Sequence, residues 1–457
     1  MTETKTRLQK NDIVTVLDSV VALLLALCPF LQHYQGIMVD SRATVLLMIA
    51  PYLVIRLWQT NRVMWVPVVP LALFSICKIL DNGTGVSELG REALVCLVFL
   101  AAICGVIDFK ALVRAWITVA VIGCALLLVQ YVCYYAFDFH LQLIPTRLFC
   151  EGSDQWMGLA ETGKISILGN PTKMYRPSSI FMEPSHVALY CVPAQLMLLF
   201  TPNFNRLRFA LALVLSVGVL ASTSGLGIVL TMGLWFIYLA LFCGENRGDK
   251  PILFIKGFTI PERRFKGVTV KGKTYGAFTF RGWTVRPINI VLVGGLVLAA
   301  VLMYAFVGVF RDSINRILFS QDGYNAVSGR TSSGILAISK LQGSEWLIGK
   351  AVEGSEANGY MSGLFESIYK YGLLGAAISY AFYVISAFKL KRQYCWFALL
   401  MLGLSCFTNH THGSAFMMIF CIYLLCGYRD CGMEDPKNRS LRIHPFGWFD
   451  KKKEEVK

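Results

Sequence analysis

The stretch IVTVLDSVVALLLALCPFL, Ile13 to Leu31, decides the class of this protein. It is close to the roughly 20 residues that a helix needs to cross the hydrocarbon core of a bilayer. Lys5, Arg7 and Lys10 precede it, as charges precede the apolar part of a secretory leader. A leader's apolar part is shorter, about 7–15 residues, and ends at a small-residue cleavage site. This run is longer and no such site follows it. It is therefore expected to be the first of a series of membrane anchors.

Runs of the same kind recur to the end of the chain. Of the 457 residues, 55% are hydrophobic and 16% charged, a balance outside that of soluble globular domains. Apolar stretches fall at 13–33, 41–57, 63–80, 90–107, 111–137, 179–200, 207–223, 225–243, 288–310, 359–388, 394–409 and 414–428. The expected fold class is an all-α polytopic membrane protein with about twelve spans. The polar stretch STSGLG, from Ser222 to Gly227, divides 207–243 into two spans, and 359–388 is longer than one crossing.

Lys and Arg set the orientation, because cytoplasmic segments carry an excess of them. With the N-terminus inside, the inner segments hold 30 and the outer segments 11. Both termini, the insert 244–286 and the tail 429–457 are then cytoplasmic, and 138–178 and 311–358 are large outer loops. The net charge of +15 lies where anionic headgroups of membrane lipids are, so no nucleic-acid partner is implied. Within the insert, RFKGVTVKGKTYGAFTFRGWTV alternates and turns at Gly272, as a small basic β-hairpin does. The 14 cysteines are mostly scattered singly in apolar runs; Cys150 alone falls in an outer loop, which argues against a disulfide framework.

Three constellations carry chemistry. The first is YRPSSIFMEPSHVALY, Tyr175 to Tyr190, where Arg176, Glu183 and His186 stand at the mouth of an apolar span. Ionisable groups there are costly and persist when paired, hydrated or functional. Pro184 suits the first turn of a helix, which puts Glu183 at its start and His186 on about the same face. Either Arg176 and Glu183 form a structural pair at the helix end, or the group is a polar site open to the outer face. The second is GRTSSGILAISKLQGSEWLIGKAVEG, 329–354, where Arg330 precedes a helix-like run and offers a donor fork suited to phosphate. The third is NHTHG, 409–413, whose His410 and His412 stand two residues apart. They lack the three or four ligands of a zinc site. Lining of the same outer cavity, or general-base work by one of them, fits better. No phosphate-binding loop, dinucleotide fingerprint or outer D-x-D pair is present, so neither a cofactor nor a metal is expected.

The order of these motifs resembles a family. A long outer loop ends in an Arg, FMEPSHVALY enters a span, STSGLG breaks the next, and a second outer loop carries GRTSSGILA, WLIGK and ANGYMSGLFESIYKYGLLGA. Over about residues 140–428 this resembles the Wzy-type O-antigen or capsule polymerases, of the superfamily that includes the O-antigen ligases. The resemblance implies a GT-C-like membrane glycosyltransferase of the bacterial cytoplasmic membrane. It would act at the outer face on oligosaccharides carried by undecaprenyl diphosphate, alongside a separate flippase and chain-length regulator. It carries the family's functional arginines onto Arg176 and Arg330. With them, Arg147, His412 and Asn358 are the expected substrate contacts, and Glu183, His186 and His410 the expected catalytic groups. Relatives often carry His-Asn where this chain has Ala357-Asn358. That His is discussed as catalytic in the ligases, so the departure weighs against a ligase. A lipid-linked oligosaccharide flippase is the non-enzymatic alternative.

Overall fold

Each apolar stretch named above contains a helix among its described residues in the computed structural model of the chain. It describes residues 2–32, 34, 41–60, 66–81, 86–144, 161–162, 164, 166–167, 170–171, 175–201, 205–242, 258–260, 263–265, 268–270, 273–275, 278–280, 283–285, 287–318, 326–350, 361–390, 392–408 and 415–434. The helices are α1 (Thr2–Leu31), α2 (Ser41–Trp58), α3 (Val69–Asp81), α4 (Val86–Ile103), α5 (Phe109–Phe137), α6 (Pro184–Leu199), α7 (Arg206–Ala221) and α8 (Gly225–Ile237). They continue with α9 (Pro287–Phe306), α10 (Gly308–Leu318), α11 (Ala326–Ser339), α12 (Glu345–Ile348), α13 (Gly363–Lys389), α14 (Arg392–Phe407) and α15 (Ala415–Glu434). Four of them, α2, α5, α9 and α13, are long and apolar enough to cross a membrane, and several shorter ones are equally apolar. The helical body is that of a membrane protein.

α6 and α15 form the centre. All of α6 except Ser185 is buried, as is α15 from Ala415 to Tyr428. Between them lies Trp116 of α5, fully buried, whose indole N–H donates to the Tyr190 carbonyl at 3.0 Å and whose ring stacks on Phe420. The division at STSGLG is a helical hairpin. Thr223 takes a positive φ of 56°, Ser224 caps α8 through the Gly227 N–H, and Trp235 Nε1 donates back to Ser216 Oγ at 2.7 Å. A side chain on Gly227 would meet Val219 of α7 and Ala188 of α6, so glycine permits the close approach.

Contacts sort the helix ends into two groups. At one end, the Ala415 N–H bonds Gln32 Oε1, Ser41 bonds the Tyr34 carbonyl, and Phe416 meets His186. At the other, Phe200 packs on Tyr238 and Trp396, and Tyr394 bonds Asp430. Asn289 of α9 donates to the carbonyls of Leu239 and Ala240 there, where α8 passes into a π-helical turn, Tyr238–Phe242.

The insert leaves from this second end. Strands β3 (Phe258–Ile260), β4 (Arg263–Phe265) and β5 (Val268–Val270) pair with β8 (Trp283–Val285), β7 (Phe278–Phe280) and β6 (Lys273–Tyr275). The partners Phe258–Val285, Arg263–Phe280 and Val270–Lys273 keep one register throughout. The three ladders are therefore one antiparallel hairpin turning between Val270 and Lys273, where Gly272 was expected to turn it. A further small pair, β1 (Ser166–Ile167) with β2 (Asn170–Pro171), lies in the segment 138–178.

Two expectations change in detail. The stretch 288–310 is not one helix: α9 ends at Phe306, and α10 folds back so that Tyr304 bonds Asn315 at 2.8 Å. The second outer loop is largely helical among its described residues, and Arg330 lies inside α11 instead of before it. α11 packs on the first half of α13, with Gly334 against Phe365. The long segment 359–388 resolves into two helical pieces at Gly372, which has φ 67° and ψ −178°. Ser367 and Tyr380 are thirteen residues apart yet their hydroxyls approach to 3.5 Å, which a straight helix rising 1.5 Å per residue does not allow.

Candidate functional site

α6 begins as its sequence requires. Glu183 is its extended N-cap residue, Pro184 follows at the first helical position, and the Glu183 side chain makes no capping bond. His186 lies one turn on, its Nε2 3.8 Å from Glu183 Oε1, with both residues buried. That separation is an electrostatic approach and exceeds hydrogen-bonding distance. The His186 ring packs on Phe416 at the start of α15.

The segment leading into Glu183 is buried and non-helical. Such backbone is tolerated at membrane depth only where protein satisfies it, and here Gln130 of α5 does so. Gln130 Oε1 accepts the Ser179 N–H at 2.8 Å and its Nε2 donates to the Leu141 carbonyl. Ser179, at φ 57°, donates its hydroxyl to the Gly123 carbonyl at 2.6 Å. Phe181 lies against Gly123, where an added Cβ would stand 3.1 Å from its ring. Gln130 is seven residues before the end of α5, or about 10 Å of helix rise. Glu183 and His186 follow at the start of α6, where His186 meets Phe416, the second residue of α15.

Tyr175 closes the rim. It stacks on Tyr134 at 3.8 Å with planes 2° apart, and its hydroxyl meets His140 Nδ1 at 2.8 Å. Burial pushes its phenol well above the ordinary tyrosine range, so it stays neutral and holds this bond at physiological pH. Arg176 follows it, half-buried and engaged within the protein.

The structure thus brings Arg176, Glu183 and His186 into one segment at one end of the bundle. Arg147, Asn358, His410 and His412 lie outside the described residues, as does the side chain of Arg330. Thr408 and Ala415, which flank the NHTHG motif, are described, and Ala415 adjoins Phe416 beside His186. Sequence reading missed Gln130, His140, Tyr175 and Ser179. A glutamine within the apolar run of α5 was the available signal for the first. Among the described residues, no three His, Cys, Asp or Glu stand close enough to hold a metal ion.

Comparison with protein families, curated proteins and solved structures gives no match. The reading of this site rests on its own geometry and on the motifs of the chain.

Proposed function

We propose that the protein polymerises lipid-diphosphate-linked oligosaccharide repeat units at the outer face of the bacterial cytoplasmic membrane. In this reading it is a GT-C-like glycosyltransferase with about twelve spans and both termini inside. The observation that carries it is the buried Glu183–His186 pair at the start of α6, which follows Arg176 after a non-helical segment held by Gln130. A sugar hydroxyl acceptor needs a base, for which a carboxylate or imidazole serves. The departing lipid diphosphate gains negative charge, which arginines stabilise without a metal; Arg176 and Arg330 are assigned to it. The basic hairpin leaves from the opposite end of the bundle to Glu183, which agrees with an external site and a cytoplasmic insert.

The test is chain growth. Purified protein is incubated with a defined undecaprenyl-diphosphate oligosaccharide and the products are sized. A ladder spaced by one repeat unit supports the reading. Transfer to a different acceptor without a ladder points to a ligase, and unchanged substrate with transbilayer movement in vesicles points to a flippase.

A further inference from the structure

The basic hairpin of residues 258–285 has no part in the mouth or in the reaction proposed for it. Its last strand, β8, ends at Val285, and one residue, Arg286, separates it from Pro287, where α9 begins. Within α9, Ile288–Phe306 is 19 residues long and apolar enough to cross a membrane. At 1.5 Å per residue it measures about 28 Å, close to the thickness of a hydrocarbon core. Almost none of it is buried within the protein, and Ile290, Val291, Val297, Leu298, Val301 and Leu302 are exposed. Apolar surface of that extent belongs in lipid. Ile288 therefore stands at the edge of the hydrocarbon, and Val285, three residues before it, lies within about 10 Å of that edge. Chain connectivity thus holds the base of the hairpin at headgroup level.

The hairpin carries charge along its whole length. From Phe258 to Arg286 there are seven Lys and Arg against one acid, Glu262. Arg263, Arg264 and Lys266 stand on the first arm, Arg281 on the second, and Lys271 and Lys273 at the turn. Two residues separate successive ladders on each arm, so the arms stay in step from base to turn. From Phe258 to Val270 an extended arm reaches about 40 Å. Phe258, Phe265, Tyr275, Phe278, Phe280 and Trp283 are interspersed with the charges. Basic and aromatic residues together are the composition of segments anchored at headgroup level. A lone two-stranded hairpin is marginal in water and needs a surface to pack on. Its principal contact with the body, among the described residues, is at the base, where β8 meets the turn Tyr238–Phe242.

We propose that the hairpin lies along the membrane and binds a surface of anionic phospholipid, drawn to it by the charges of Arg263, Arg264, Lys266, Lys271, Lys273 and Arg281. Each Lys or Arg close to an anionic bilayer adds an attraction that fades within a Debye length, about 8 Å at physiological salt. A hairpin standing upright would carry Lys271 and Lys273 about 40 Å out, beyond that reach. Lying flat brings the turn and both arms within it. The tether at Pro287 keeps the hairpin beside the surface, which makes docking an intramolecular event. This binding depends neither on which leaflet the hairpin meets nor on the polymerase reading.

Hydrogen exchange on the full-length protein in lipid nanodiscs tests this. The discs hold phosphatidylcholine alone or phosphatidylcholine with phosphatidylglycerol, and the variant is Lys266→Gln/Lys271→Gln/Lys273→Gln/Arg281→Gln. The expected result is that phosphatidylglycerol slows exchange of the 258–285 amides at least about tenfold. The effect should vanish in the variant, and in the wild type at high salt, while α6 and α15 exchange alike throughout. Equal exchange in the two lipids overturns the proposal; where it is slow in both, another part of the chain or a second copy covers the hairpin. Protection by phosphatidylglycerol that survives high salt and the four substitutions also overturns it, because charge is then not the cause. Should the hairpin fail to form in the variant, the comparison of low and high salt on the wild type decides alone.

Discussion

Glu183 and His186, three residues apart, are two candidates for the general base of the proposed reaction. Replacing Glu183 with Gln keeps the shape and removes the charge. Turnover is expected to fall about a hundredfold, the usual scale for a lost general base, with a melting temperature close to wild type. Full activity in a well-folded Glu183→Gln protein would remove it from the chemistry. Arg330 is tested the same way. Arg330→Ala is expected to cost about 3 kcal/mol of transition-state stabilisation, on the order of a hundredfold in rate. Arg330→Lys should restore only part, because it keeps charge and loses the fork. If Arg330 instead serves only its own segment, the Ala protein would show lower yield or melting temperature with normal turnover.

At the scale of elements, the contact between α12 and the bend in α13 is the most exacting. Gly349 has φ 84° and Gly372 φ 67°. A Cβ on Gly372 would stand 2.3 Å from the Leu347 carbonyl, and one on Gly349 2.1 Å from that of Lys370. The Lys350 N–H bonds the Tyr369 carbonyl across the same contact. Gly372→Ala adds the cost of an essentially glycine-only backbone conformation, on the order of 1–3 kcal/mol, to a clash with main chain that has no rotamer to escape into. The expected outcome is a markedly lower melting temperature, with α11 losing its seat on α13; a wild-type melting curve would contradict it. This contact also marks the limit of what the sequence disclosed. Apolar runs located the longest helices, and Pro184 located the start of α6, because those signals are local. WLIGK and KYGLL each read as a turn or an apolar run, and their interlocking depends on a partner some twenty residues away. The chain from Tyr175 to Glu183 was hidden for the same reason: the Ser179 N–H and hydroxyl donate to Gln130 and to the Gly123 carbonyl of another helix.

For the whole molecule, sidedness is the property with most consequence. The imbalance of 30 Lys and Arg against 11 is the ground for expecting the hairpin in the cytoplasm. In intact cells, Lys271→Cys, at the hairpin turn, is expected to resist an impermeant thiol reagent and to react once the membrane is opened. Labelling in intact cells would invert the orientation and put Glu183 on the wrong face. The assignment of diphosphate stabilisation to arginines carries its own test. Polymerisation by the purified protein is expected to survive a chelator, and loss of activity restored by magnesium or manganese would replace this mechanism with a metal-assisted one.

The burial of α6 by α15 has a consequence for biogenesis. α6 emerges from the ribosome more than two hundred residues before α15, yet Phe416 and Phe420 of α15 complete the packing around His186 and Trp116. Until that late helix is inserted, the nascent bundle has a gap on the flank of its most polar residues, which lipid or a membrane chaperone must fill. The site is therefore assembled late in synthesis. A chain stopped after α14 would hold Glu183 and His186 but lack the wall that closes them in.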